Sequence, residues 1–202
     1  MPPRGKSVRK KKVKAAPLTT AQSLGSIIKS ARDLMRKDKG LNGDLDRLPL
    51  LTWIMFLKFL DDLEQQRTQE AKLANKRFRP AIEAPYRWRD WAAKVDGVTG
   101  DELLAFINQD KTTRPDDTKG PGLFAYLRGL TSANGDDRRD VIATVFRGVD
   151  NRMKSGYLLR DVINSTVLKT LILHDIVPVS SVTARGGWWE RAWNVGSRST
   201  EK

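Results

Sequence analysis

Most of the chemistry available to this sequence comes from charged side chains, and the majority are positive. Lys+Arg number 37 against 24 Asp+Glu, which leaves a formal net charge of +13. The densest run is Arg9, Lys10, Lys11, Lys12 and Lys14, within MPPRGKSVRKKKVK, a stretch with no acid. Lys37 and Lys39 form a second pair. Arg87 and Arg89 form a third, interleaved with aromatics in YRWRDWA. Such runs favour a polyanion, nucleic acid first, because each cation placed on a phosphate releases condensed counterions regardless of base sequence. For residues 1–14 two readings stand side by side, a solubilising tail and a phosphate-contacting arm. Trp88 and Trp91, three apart, share a face if helical and read best as a pair docked on the core. Arg87 and Arg89 then either point to water or join an Arg/aromatic nucleic-acid surface.

Catalytic groupings are scarce. There is no cysteine, so thiolate zinc sites, disulfides and a Cys nucleophile are excluded. A single histidine, His174, leaves no imidazole cluster for a metal and little room for a Ser-His-Asp triad. Carboxylate pairs occur at Asp61/Asp62, Asp116/Asp117 and Asp136/Asp137. Adjacent residues diverge on a helix, so these read as solvated ends and caps. No G-x-G-x-x-G follows a strand and no G-x-x-x-x-G-K-[ST] is present, so no phosphate-cradling loop is visible. The expectation is no catalytic, cofactor-binding or metal site.

The elements that must position the cations are helical. Thr19 and Gln22 have capping-box spacing, and Leu24, Ile27, Ile28, Ala31, Leu34 and Met35 trace one stripe behind them, with Gly40 as a natural C-terminal stop. A second helix is expected to start between Asp46 and Pro49, because proline fits only a first turn. Its body, LLTWIMFLKFL, is apolar nearly all round and must be buried between other elements. The polar stretch through Asn75 is helix-prone. Pro80 and Pro85 argue for a loop or short elements over 76–98. Thr99 and Glu102 open a short helix. DKTTRPDDTKGPG reads as a loop and LFAYLRGL as a helical piece. NGDDRRD opens a helix with Val141, Ile142, Val145 and Phe146 inward. Ser155-Gly156 breaks it, and YLLRDVIN adds a turn or two. The class is all-α, an irregular helical bundle.

At 202 residues this is one domain, or one domain with tails. The longest apolar block, Leu48 to Leu60, falls short of the roughly 20 residues a membrane span needs. No apolar segment of a secretory signal follows the basic N-terminus. The reading is a soluble, cytoplasmic protein with no membrane partner.

From Ala21 to Asp62 the sequence AQSLGSIIKSARDLMRKDKGLNGDLDRLPLLTWIMFLKFLDD strongly resembles the start of the modification subunit of type I restriction-modification systems. YRWRDWA and VFRGVDNRMKSGYLLRDVIN resemble the same family's N-terminal helical domain. That subunit is an adenine-N6 DNA methyltransferase. The resemblance implies a helical domain that helps clamp DNA and assembles with the specificity subunit and the other modification and restriction subunits. It also implies a following domain that binds S-adenosylmethionine and uses an Asn-Pro-Pro-Phe motif on a flipped adenine. This chain has no Asn-Pro-Pro, so no S-adenosylmethionine is expected on it and it is expected to be inactive alone. Three parts are expected: a disordered basic tail (1–18), the helical domain (19–164) and an atypical tail (165–202). The likeness stops after Asn164, which suggests a shifted or interrupted reading frame; sequence of the locus tests that. Within the resemblance, Arg9, Lys10, Lys11, Lys12, Lys14, Lys37, Lys39, Arg87 and Arg89 are the expected phosphate contacts. The alternative is a protein-interaction module that scarcely touches DNA.

Overall fold

The computed structural model of the chain describes residues 20–94, 97–131 and 137–165. They form an all-α domain: α1 (Thr20–Met35), α2 (Asp44–Leu73), α3 (Trp88–Trp91), α4 (Gly100–Asn108), α5 (Leu123–Arg128), α6 (Asp137–Phe146) and α7 (residues 156–165). The stretch read as a loop between α4 and α5 holds a two-stranded antiparallel ribbon, β1 (Thr112–Thr113) and β2 (Lys119–Gly120), with Thr112 opposite Gly120. Among the described residues no helix is long and apolar enough to cross a membrane.

The apolar run around Trp53 becomes the middle of the longest helix, and Trp53 is 1% exposed. Leu50, Trp53, Ile54, Leu57, Leu60, Asp61 and Glu64 recur at helical spacing and form its buried stripe. Burial is not all-round as expected. Leu48, Thr52 and Phe59 lie on an exposed face, because α1, α3 and the rings of α5 and α6 cover only part of the circumference of α2. The helix also starts earlier than expected. Asp44 and Asp46 occupy its first turn, where the helix dipole favours acids, and the Asp46 carboxylate accepts the Asn42 N–H at 3.1 Å. Pro49 therefore sits in the second turn, and the Leu45 carbonyl lacks its usual donor. The Leu45 side chain is 88% exposed, so water reaches this part of the helix.

Aromatic rings tie α2 to the C-terminal half of the domain. Trp53 meets Phe124 of α5 edge-on at 5.2 Å, Phe124 lies 5.7 Å from Phe146 of α6, and Phe56 approaches Phe146 at 5.8 Å. Such offset and edge-on pairs add about 0.5–1.5 kcal/mol each beyond burial. Arg128 closes the α6 C-terminus by donating to the Phe146 carbonyl at 3.1 Å and the Val149 carbonyl at 2.6 Å. Trp88 and Trp91 are buried together at 5.2 Å, the docking role read from their spacing. Tyr86 stacks on Tyr126 at 3.8 Å and donates to the Pro121 carbonyl at 2.7 Å, which fixes the 76–87 loop on α5.

Two expectations fail for reasons of packing. In α6 only Ile142 and Phe146 are buried. Val141 and Val145 are 46% and 44% exposed, since the four span more of the helix surface than α2 and α5 cover. Gly40 is not the stop of α1, which ends five residues earlier. A Cβ at Gly40 would lie 2.1 Å from the Arg152 carbonyl oxygen, so glycine is there for a close approach of two backbones.

Candidate nucleic-acid interface

That close approach belongs to a clasp centred on Asp38. The residue follows α1 and is 4% exposed. Its carboxylate accepts three backbone N–H groups: Gly40 at 2.8 Å, Ser155 at 2.9 Å, and Lys154 at 3.1 and 3.2 Å. A buried carboxylate is costly unless its lone pairs are filled, and charge-assisted bonds are the strong ones. The last two donors are 116 and 117 residues away in sequence. They open α7, whose first turn is capped by Ser155: its Oγ accepts the Leu158 N–H at 3.2 Å. The acid is thus well placed at a helix N-terminus, where the dipole favours negative charge.

With Asp38 turned inward, Lys37 and Lys39 on either side are exposed. Lys154 is exposed as well, and its Cγ lies 3.0 Å from the Cβ position of Gly40. The other cations of this corner are engaged: Arg32 with Asp44 at 2.6 Å, Arg36 with Asp33 at 3.2 Å, Arg47 with Asp44 at 3.2 Å and Arg152 with Asp46 at 2.5 Å. Hydrogen bonding from Arg32 holds the Asp44 carboxyl below its ordinary range. The Asn42 N–H, then Arg152, does the same for Asp46.

Arg87 and Arg89 sit elsewhere and have other partners. Arg87 chelates Asp90 at 2.9 and 3.1 Å. Arg89 pairs at 2.7 Å with Asp61, which is buried on α2 and also accepts from Gln65 at 3.1 Å. Asp61 is therefore an internal anchor for α3, not the solvated acid expected of the Asp61/Asp62 pair. Arg152 is held at Asp46 and Arg89 at Asp61 of one helix, about 22 Å apart along its axis. The structure does not bring the two cation pairs together. Beside Asp61, Glu64 is 2% exposed and accepts the Ala81 N–H at 2.6 Å. Burial pushes its carboxyl up to about 7, against the opposing pull of that N–H and of Arg138 and Arg89, with Asp61 adding to the rise.

Arg9, Lys10, Lys11, Lys12, Lys14, His174 and the segment 166–202 lie outside the described residues. A hollow of about 890 Å³ beside the ribbon is lined by Glu102, Asp110 and Asp117 against Lys111, Arg114 and Lys119, so its charges cancel. Among the described residues no cluster of acids or histidine could hold a metal. The sheet found among them is an antiparallel ribbon of two-residue strands, not the parallel sheet from which a glycine-rich cofactor loop springs. The sequence reading names Lys37 and Lys39 but not Asp38, Arg152 or Lys154, which the structure places at the same corner. The available signals were an acid set between two lysines past a helix end and Ser155 as the cap of the next helix.

A helical domain with a basic corner, organised around one long hydrophobic helix, is the class these observations define. The profile of one family, described as the HsdM N-terminal domain, matches residues 24–166, and the chain belongs to that family. It is 41% identical over 143 residues to the Type I restriction enzyme EcoEI methylase subunit of Escherichia coli, covering 70% of this chain and 26% of the relative. The chain thus spans about a quarter of that protein's length. Among solved structures it is similar to a modification subunit assigned to a type I restriction enzyme of Vibrio vulnificus YJ016. That match has 56% identity and a TM-score of 0.72, covering 94% of this chain and 39% of the other. A second similar chain comes from work on complex assembly and conformational transition of the type I R-M system. It is 34% identical with a TM-score of 0.56, covering 74% of this chain and 26% of the other.

Proposed function

We propose that the chain serves as a DNA-associating and assembly domain of a type I modification subunit, and that methyl transfer with S-adenosylmethionine needs residues beyond those present. The single observation that carries the DNA half is the basic corner. Lys37, Lys39 and Lys154 stand exposed there, while the neighbouring acids are engaged by arginines or by backbone N–H groups. Lysines of this kind position a protein on a phosphate backbone without reading bases. Arg87 and Arg89 remain a third exposed and add positive potential while anchored to Asp90 and Asp61. Assembly with specificity, modification and restriction subunits is supported by family membership and by the similar chain studied for complex assembly.

Electrophoretic shift of duplex DNA at two salt concentrations tests the DNA half. A shift at low salt that weakens steeply at higher salt is expected. No shift at low salt, or one indifferent to salt, removes it. A purely protein-binding module is the second reading, favoured by the apolar side chains left outside: Leu48, Phe59, Val141 and Val145 are each between 44% and 53% exposed.

A further inference from the structure

We propose that Lys37, Lys39 and Lys154 form one contact for the phosphate backbone of duplex DNA, assembled by the buried Asp38 carboxylate; this rests on the DNA-associating reading above. Asp38 acts here as a positioning residue. Its bonds from the Lys154 and Ser155 N–H groups fix the 154–155 backbone against the end of α1, and glycine at position 40 lets that backbone come close enough to lay the Lys154 stem across it. The two segments are 116 residues apart, so no local propensity brings their charges together. The clasp does so with a group hidden from solvent.

The chemistry favours phosphate. The corner's arginines, the cations best suited to planar bidentate partners, are already bound to Asp33, Asp44 and Asp46. What remains is three ammonium groups on flexible stems, which act as point charges and adapt to any local backbone geometry. With Asp38 counted, the four residues still carry a net charge of +2. Duplex DNA carries about one negative charge per 1.7 Å of axis, so several of these ammonium groups are neutralised at once. The Asp38 charge is buried and its oxygens face N–H groups, so the surface offered to the phosphate is that of the lysines.

The test is a fluorescence anisotropy titration of labelled duplex DNA with the full chain at several salt concentrations. The chain and its Lys37→Ala/Lys39→Ala/Lys154→Ala variant are compared, with circular dichroism confirming that both are folded. Each neutralised phosphate contributes about 0.9 to the log–log salt slope, so the triple variant should lose about 2.7. Over a fourfold rise in salt the parent chain then loses about 40-fold more affinity than the variant. Lys154→Ala alone should reduce the slope as much as Lys37→Ala does. Asp38→Asn should mimic Lys154→Ala if it folds; if it does not, the lysine variants decide. A parent chain that binds with an unchanged slope in the triple variant overturns the inference and leaves the wider reading standing. That would be the result if the cations of residues 9–14 did all the work. A parent chain that binds no DNA at low salt overturns both. A triple variant that keeps its DNA slope but loses a protein partner assigns the corner to protein and also overturns the inference.

Discussion

Gly156→Ala is expected to destabilise the domain by about 3 kcal/mol or more, above the usual cost of an added methyl because the obstacle is backbone. A Cβ on Gly156 would lie 1.7 Å from the Gly100 carbonyl oxygen and 2.4 Å from its carbonyl carbon. Neither atom can turn aside as a side chain would. Gly100 is itself constrained: its φ of +59° is costly for other residues, and the Tyr157 ring packs against it. The first residues of α4 and α7 thus touch through two glycines. Making room means moving α7, which carries buried Leu159, Val162 and Ile163 and holds the Trp91 carbonyl through Arg160 at 3.0 Å. Domains are stable by only about 5–15 kcal/mol, so such a loss is easily seen as a lower urea midpoint. Gly25→Ala is the control. It lies within α1 with nothing within 4 Å of its Cβ position, and should be stabilising by about 0.5–1 kcal/mol. Equal midpoints for Gly156→Ala and the parent would contradict the contact.

The second large effect is a pH dependence set by Glu64. In the unfolded chain its carboxyl titrates near 4.5, and in the folded domain near 7. The folded state therefore holds a proton that the unfolded state gives up as pH rises. This contribution is fully present below 4.5, is lost across the interval up to about 7, and is flat above it. A gap of that size corresponds to about 3 kcal/mol. The charged groups facing Glu64 are Asp61 on its own helix, Arg89 of α3 and Arg138 of α6. Other acids slope the opposite way. Arg32 holds Asp44 below its ordinary range, and hydrogen bonds from Arg79 and Arg139 do so for Glu83, so their contribution is present above the ordinary carboxylate range and fades in acid. The difference between parent and Glu64→Gln isolates the buried group, since glutamine keeps an oxygen for the Ala81 N–H. Urea unfolding from pH 4 to 8 should show the parent losing stability relative to Glu64→Gln as pH rises. Parallel curves would show that Glu64 ionises normally.

What the sequence revealed follows from the range of the forces involved. The α2 rod was legible because most of a run such as LLTWIMFLKFL must be buried, although Phe59 of that run stays exposed. Trp88 and Trp91 were legible because a spacing of three puts both rings on one face. The start of α4 was marked by Thr99 and Glu102, although Thr99 makes no side-chain capping bond. The Asp38 clasp and the Gly100–Gly156 contact join residues far apart along the chain, and no local pattern encodes them. Val141 and Val145 were misplaced because hydrophobicity marks a face broader than the one the neighbours cover. Asp61 was misread because a polar stretch is ordinarily solvated, and only the return of Arg89 from α3 makes its burial affordable. For the candidate interface the consequence is uneven. Two of its three lysines were visible beside a helix end, while Lys154 became part of it through tertiary structure alone.

The proposed role is that of a domain that joins type I subunits and rests on DNA. Its most direct test is sedimentation of the full chain with a type I specificity subunit from the same source, with and without duplex DNA and after nuclease at high salt. The expected result is a complex with the specificity subunit that survives nuclease and takes up DNA when salt is lowered. A chain that sediments at its own mass under every condition would contradict the account.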